Sequence, residues 1–198
     1  MHQYYVVYKP FQVLSQFSSQ EGKRSLKEFF PVAGDVYPVG RLDFDSEGLL
    51  ILTNDTALNH RLLTPRHAHE REYWVQVDGA ITPTAIQTLA AGVTINVDGR
   101  PYRTKRCIVQ RFDVLPTVPE RNPPIRYRAN IPTSWIRLSL TEGKNRQVRK
   151  MTAQVDFPTL RLIRYRIERL TLEGLNPGEM RSLSRNEIYS MLFAERNH

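Results

Sequence analysis

Two aspartates, Asp43 and Asp45, and a glutamate, Glu47, crowd beside Arg41 in the stretch VGRLDFDSEGLLILTND, just before an apolar run. Carboxylates in turns usually cap backbone groups and face water, and by residue type alone Asp43 reads as such a cap. The alternative is chemistry. A free aspartate, with a pKa near ~3.9, needs no base to become a nucleophile at neutral pH. Burial would neutralise it unless a fixed cation stood close by, and Arg41 and the arginines of a later helix are the candidates. Two neighbouring carboxylates also suit a glycosidase-like acid and nucleophile pair. Asp43 and Asp45 would point the same way on an extended segment, but a turn removes that inference.

The second chemistry-bearing stretch is TEGKNRQVRKMTAQV. As a helix it places Arg146, Arg149 and Lys150 on one face by their i, i+3, i+4 spacing. Val148, Met151, Thr152 and Val155 then line the opposite face, which suits packing on a sheet. Gly143, Lys144 and Asn145 lead in, so backbone N–H groups at the helix start can also meet an anion. A solvated basic face is the commoner fate of such a helix, and the donors gathered at one end favour anion binding. Tyr73 opens an alternating strand on the Val75–Val77 side. Most such tyrosines sit at the rim of a core, whereas a tyrosine at a cleft can stack on a base. The histidines (His2, His60, His67, His69, His198) show no metal-ligand spacing, and there is no G-x-G-x-x-G, Walker A or G-x-S-x-G motif.

These groups need elements to hold them. QYYVVY (Gln3–Tyr8) reads as a strand ended by Pro10, and LLILT (Leu49–Thr53) as a buried strand that anchors the Asp43 turn rigidly. Asp55 caps a short helix stopped by Pro65, and Thr82 with Pro83 opens a helix closed by Gly92. REYWVQVDG and SWIRLSLTE alternate as half-buried strands, VTINVDGRPYRTKRCIVQRF forms a hairpin at Asp98-Gly99, and LRLIRYRIERLTL is strand. Residues 113–133 hold five prolines and form a long loop. Ser184 with Glu187 makes a capping box for a helix to about Ala194. The expected fold class is α+β, a mixed, largely antiparallel central sheet flanked by helices, over residues 1–198 as one domain of two lobes around a central cleft.

Charge points to a polyanion. Residues 1–99 hold 8 Lys+Arg against 11 Asp+Glu, whereas residues 100–198 hold 20 against 9. An excess confined to one half fits a phosphate-binding face better than general solubility does. One cysteine, Cys107, excludes an internal disulfide and a cysteine-built zinc site. No apolar run is long enough to span a membrane and the first residues lack signal-peptide character, so a cytoplasmic protein with no membrane partner is expected.

Taken together, GRLDFDSEGLLILTND, REYWVQVDG and EGKNRQVRKM resemble the pseudouridine synthases of the RsuA/RluB/RluE/RluF branch, in order and spacing from YKP near the start to LNPGEMRSL near the end. RNPPIRYRANIPTSW further resembles the RluE type, which implies large-subunit ribosomal RNA, free or in an assembling particle, as partner. The resemblance implies the family's catalytic fold and an isomerisation in which a uridine exchanges its N1–C1′ glycosidic bond for a C5–C1′ bond. It implies no cofactor and no metal. Asp43 matches the catalytic aspartate, Tyr73 the tyrosine that stacks on the target base, and Arg149 the basic residue paired with that aspartate. Lys144, Arg146, Lys150 and Arg41 are expected to contact RNA. Whether Asp43 attacks the ribose or assists departure of the base stays open.

Three departures matter. KPFQVL lacks the glycine that often follows KP, Arg71 replaces a common lysine, and the protein is expected to lack the N-terminal S4 domain of many relatives. RNA recognition is therefore expected from the catalytic domain itself, with Arg121, Arg126 and Arg128 of the 113–133 loop, acting as a monomer. The rival readings are a non-catalytic RNA-binding protein, which needs nothing from Asp43, and a glycosidase that would release free uracil.

Overall fold

The computed structural model describes residues 1–125 and 132–194, and these divide into two compact units. The first comprises Met1–His69 and the chain from Arg164 onward; the second is Glu70–Ile163.

The first unit begins with β1 (Tyr4–Lys9), β2 (Val13–Leu14), β3 (Arg24–Ser25), β4 (Tyr37–Pro38), β5 (Glu47–Thr53) and α1 (Thr56–Leu63). Strand β5 is buried along its whole length, as a continuous apolar run predicts. It pairs antiparallel with β1, Lys9 opposite Gly48 and Tyr4 opposite Thr53. Asp55 caps α1 through Ala57 N (3.0 Å) and Leu58 N (3.2 Å), so the sequence-predicted start is observed. Val7, Val13, Leu26, Phe30, Val36, Leu50 and Leu52 form its core.

The second unit adds β6 (Arg71–Asp78), α2 (Pro83–Ala91), β7 (Thr94–Val97), β8 (Arg100–Arg103), β9 (Ile108–Arg111), β10 (Thr133–Leu140) and α3 (Gln147–Gln154). β10 pairs antiparallel with both β6 and β9, and Val75, Val77, Ile136 and Leu138 turn inward to meet Leu89 and Met151. The hairpin at Asp98-Gly99 is present, both residues at positive φ. Its second arm is shorter than the sequence suggests. At Thr104 the chain leaves β8, with Thr104 N bonded to Val93 O and Thr104 Oγ1 accepting from Val93 N (both 2.9 Å), and it re-enters sheet as β9 beside a different partner.

β11 (Thr159–Ile167) carries the chain back into the first unit, followed by β12 (Leu170–Thr171), β13 (Met180–Ser182) and α4 (Arg185–Phe193). LRLIRYRIERLTL is therefore two strands, turning at Glu168, which adopts φ 50°. β13 pairs antiparallel with β1, and the Ser184–Glu187 capping box opens α4. The fold is α+β with a mixed, largely antiparallel sheet, and the two-residue β2–β3 pair is parallel. Among the described residues, no helix is long and apolar enough to cross a membrane.

Candidate active site

Asp43 lies on a turn closed by Ser46 N donating to Asp43 O at 3.0 Å, directly ahead of β5. Asp43 and Asp45 are half-buried, Arg41 is exposed, and Glu47 is buried inside the strand. Gly48 explains how β5 can start so deep: at φ +115° any Cβ would lie 2.4 Å from the carbonyl oxygen of Arg164. Arg164 is itself buried and donates from Nε to Leu49 O at 2.8 Å.

The loop after β1 holds the other side of this turn. Lys9, fully buried, donates from Nζ to Pro10 O (2.9 Å) and Val13 O (2.7 Å). Burial pushes the Lys9 ammonium down from 10.5 to about 7, while the charges of Glu47, Asp43 and Asp45 pull it back up. A lysine at the end of an apolar strand and followed by proline was the available sequence signal for Lys9. Nothing local marked Arg161 and Arg164, both buried on β11.

In the second unit, Tyr73 stands on β6 opposite Leu138, half-buried against the core on the Val75–Val77 side. The basic motif departs from the expected single helical face. α3 begins at Gln147, and Arg146 is its N-cap in the left-handed region (φ 54°, ψ 32°), so Arg146 is displaced from the helical row of Arg149 and Lys150. Arg149 and Lys150 are half-buried, whereas Lys144 and Arg146 are exposed. The apolar face is as expected, with Val148, Met151 and Thr152 buried.

Glu142, just before this loop, is a hub that the sequence reading missed. Its carboxylate accepts from Tyr102 Oη (2.5 Å), Lys105 N (2.9 Å) and Gln147 Nε2 (2.6 Å). Buried Gln147 completes the loop by accepting from Lys144 N at 2.9 Å, so that N–H is already taken rather than free for an anion. Lys144 Nζ sits 4.8 Å from the Tyr102 ring centroid. The bond to Glu142, with burial and the carboxylate's charge, raises the Tyr102 phenol to about 12. Gly143 followed by exposed Lys144, Asn145 and Arg146 thus forms a fixed basic loop, suited to phosphate oxygens.

Arg121 folds back on its own surroundings, donating to Pro123 O (2.9 Å), Pro124 O (3.1 Å) and Leu160 O (3.4 Å). Arg126 and Arg128 lie outside the described residues. The candidates therefore fall into two sets. Asp43 and Arg41 belong to the first unit, while Tyr73, Lys144, Arg146, Arg149, Lys150 and Arg121 belong to the second. Chemically, the first offers a carboxylate on a rigid turn, the second an aromatic ring and a grip for phosphates.

Comparisons with known proteins bear on the family of the chain. Residues 3–154 match the family model for RNA pseudouridylate synthase. A Vibrio vulnificus protein described as ribosomal large subunit pseudouridine synthase E is 47% identical over 176 residues, 89% of this chain and 73% of the relative. One of the same description from Xanthomonas campestris pv. campestris is 49% identical over 175 residues, 87% of this chain and 91% of its own. A solved pseudouridylate synthase superposes with a TM-score of 0.76 at 27% identity, covering 97% of this chain and 74% of that one.

Proposed function

The chain belongs to the RNA pseudouridylate synthase family, and we propose that it isomerises one uridine of large-subunit ribosomal RNA to pseudouridine with Asp43 as the reacting carboxylate. The observation that carries the assignment of Asp43 is its setting. Within the family-matched segment it sits half-buried on a hydrogen-bonded turn, rooted in a strand whose every residue is buried. A group so placed is pre-organised, which is what a reaction with no cofactor to share the work needs.

The reaction breaks N1–C1′ and forms C5–C1′; the C5 proton leaves and N1 gains one, so the mass of the RNA is unchanged. Asp43 assists this exchange either by attacking C1′ of the ribose or by stabilising it as the base departs. Tyr73 stacks on the base once it has left its own stack, a step that costs about a few kcal/mol. Stacking returns roughly 1–3 kcal/mol of that. Arg149 supplies the cation that the chemistry requires of the basic motif. Lys144, Arg146, Lys150 and Arg41 contact phosphates, and Arg126 and Arg128 are proposed to join them. Arg121, by its carbonyl contacts, shapes the 113–125 segment that presents it. A monomer acting in the cytoplasm on free or assembling large-subunit RNA completes the proposal.

The test is a map of pseudouridine in ribosomal RNA from cells with and without the protein. One site is expected to disappear, to return with wild type, and to stay absent with Asp43→Ala, while Asp43→Ala still binds the RNA. An unchanged map would favour the RNA-binding module instead, and release of free uracil would favour a glycosidase.

A further inference from the structure

One side chain holds the residue before Asp43 at both ends. Ser15 Oγ accepts from Leu42 N at 3.0 Å and donates to Leu42 O at 2.8 Å, across 27 residues of sequence and with both residues buried. The two peptides after Asp43 are fixed as well. Gln12 N donates to Phe44 O at 2.9 Å, from a left-handed backbone at φ 55°, and Ser46 N donates to Asp43 O at 3.0 Å. Lys9 Nζ ties Pro10 O and Val13 O, which steadies the same loop between β1 and Ser15. The peptides on both sides of Asp43 are thereby held, which fixes where its Cα–Cβ bond points.

We propose that Ser15 is a positioning residue for the Asp43 carboxylate, setting through Leu42 the direction in which that side chain leaves the backbone. The inference rests on the reading of Asp43 as the reacting group. A hydroxyl suits the task because it donates and accepts within one small volume. Without it, the N–H and C=O of Leu42 lose their partner in a buried place and the peptide must rotate or admit water. Reaction geometry is intolerant of such movement, since a misplacement of about 1 Å can cost on the order of 100-fold in rate.

Thr53 provides a matched control at the far end of β5. Its Oγ1 also bridges two backbone groups, donating to Gln3 O (2.6 Å) and accepting from Asp55 N (3.1 Å), in the same unit but away from the turn. Turnover is measured on large-subunit RNA labelled with tritium at C5 of uridine, alongside RNA affinity and Tm. Ser15→Ala is expected to lower kcat about 10- to 100-fold with KM and RNA affinity unchanged. Ser15→Cys, nearly isosteric but a weak hydrogen-bonder, should fall between. Thr53→Val should lower Tm without lowering kcat. If kcat in Ser15→Ala and Thr53→Val simply follows Tm, or if Ser15→Ala keeps wild-type kcat, the proposal is overturned. Should Ser15→Ala not fold, wild-type kcat in Ser15→Cys overturns it equally. Asp43→Asn separates the two readings. An inactive Asp43→Asn beside a fully active Ser15 variant sinks the role of Ser15 alone, whereas an active Asp43→Asn sinks both.

Discussion

The Asp43 turn and the Glu142–Gln147 loop are both rigid, but they are held by different physics. The turn is fixed through main-chain groups, with Ser15, Gln12 and Ser46 bonded to the carbonyls and amide around Asp43. The basic loop is fixed by one ionisable side chain, Glu142, which gathers a phenol, an amide side chain and a backbone N–H. Neutral hydrogen bonds are little affected by salt, whereas exposed charges are screened over about 10 Å at moderate ionic strength. The comparison therefore separates a turn held by neutral main-chain bonds from a loop held by a charged side chain and presenting exposed charges, which is the more sensitive of the two to salt.

The strongest break in that contrast should come from Lys9, a fully buried titratable group in the loop that backs the turn. Its folded pKa of about 7 lies below the ordinary 10.5, so between these values the unfolded chain binds more protons than the folded one. Stability then rises with pH across that window, as less charge has to be buried. Compared with Lys9→Met in denaturant titrations, wild type should gain stability steadily from neutral pH towards 10.5. A constant difference between the two would show that Lys9 stays charged where it is. Tyr102 carries the opposite sign, because its folded pKa is raised from 10.0 to about 12 and its contribution fades as pH climbs through that range. Alkaline conditions should thus steady the turn before they loosen the loop.

Glu142 comes next in size. Glu142→Ala removes the shared acceptor of Tyr102, Lys105 N and Gln147, and should cost about 1–3 kcal/mol of stability. Disordering Lys144 and Arg146 should also weaken RNA binding, by roughly the tenfold that corresponds to 1.4 kcal/mol. Glu142→Gln tests whether geometry or charge matters. Its carbonyl can accept from Lys105 N and Gln147 while its amide donates to Tyr102 Oη, so affinity should stay near wild type. Equal losses in both variants would mean that the charge of Glu142 itself sets the loop.

What could be read from sequence divides along the same line. The Asp55 and Ser184 caps, the Thr82-Pro83 start, and the Asp98-Gly99 hairpin were legible because each is decided within a few residues. The Asp43 and Arg149 motifs were legible only as resemblance. The devices that hold them were not legible, because Ser15 finds Leu42 27 positions away, and Glu142 finds Lys105 and Tyr102 at 37 and 40. Arg146 misled for a related reason. Helical spacing assumed a helix through it, and the chain instead spends one left-handed residue to turn into α3.

That left-handed Arg146 and the exposed Lys144 allow the finest test of the loop's purpose. If both meet phosphates, each removes about one counterion on binding, and log affinity against log salt changes slope by ~0.7 per contact for single-stranded RNA. Lys144→Ala and Arg146→Ala should each flatten the salt dependence by about that amount, uniformly across RNA sequences, and leave kcat at saturating RNA unchanged. Lys144 also rests over the Tyr102 ring, a contact worth roughly 0.5–1 kcal/mol at an exposed site, so its loss should carry a stability cost of about that size. A slope unchanged by either variant would leave the loop rigid but idle towards RNA, and the contrast with the Asp43 turn would become one of structure rather than of task.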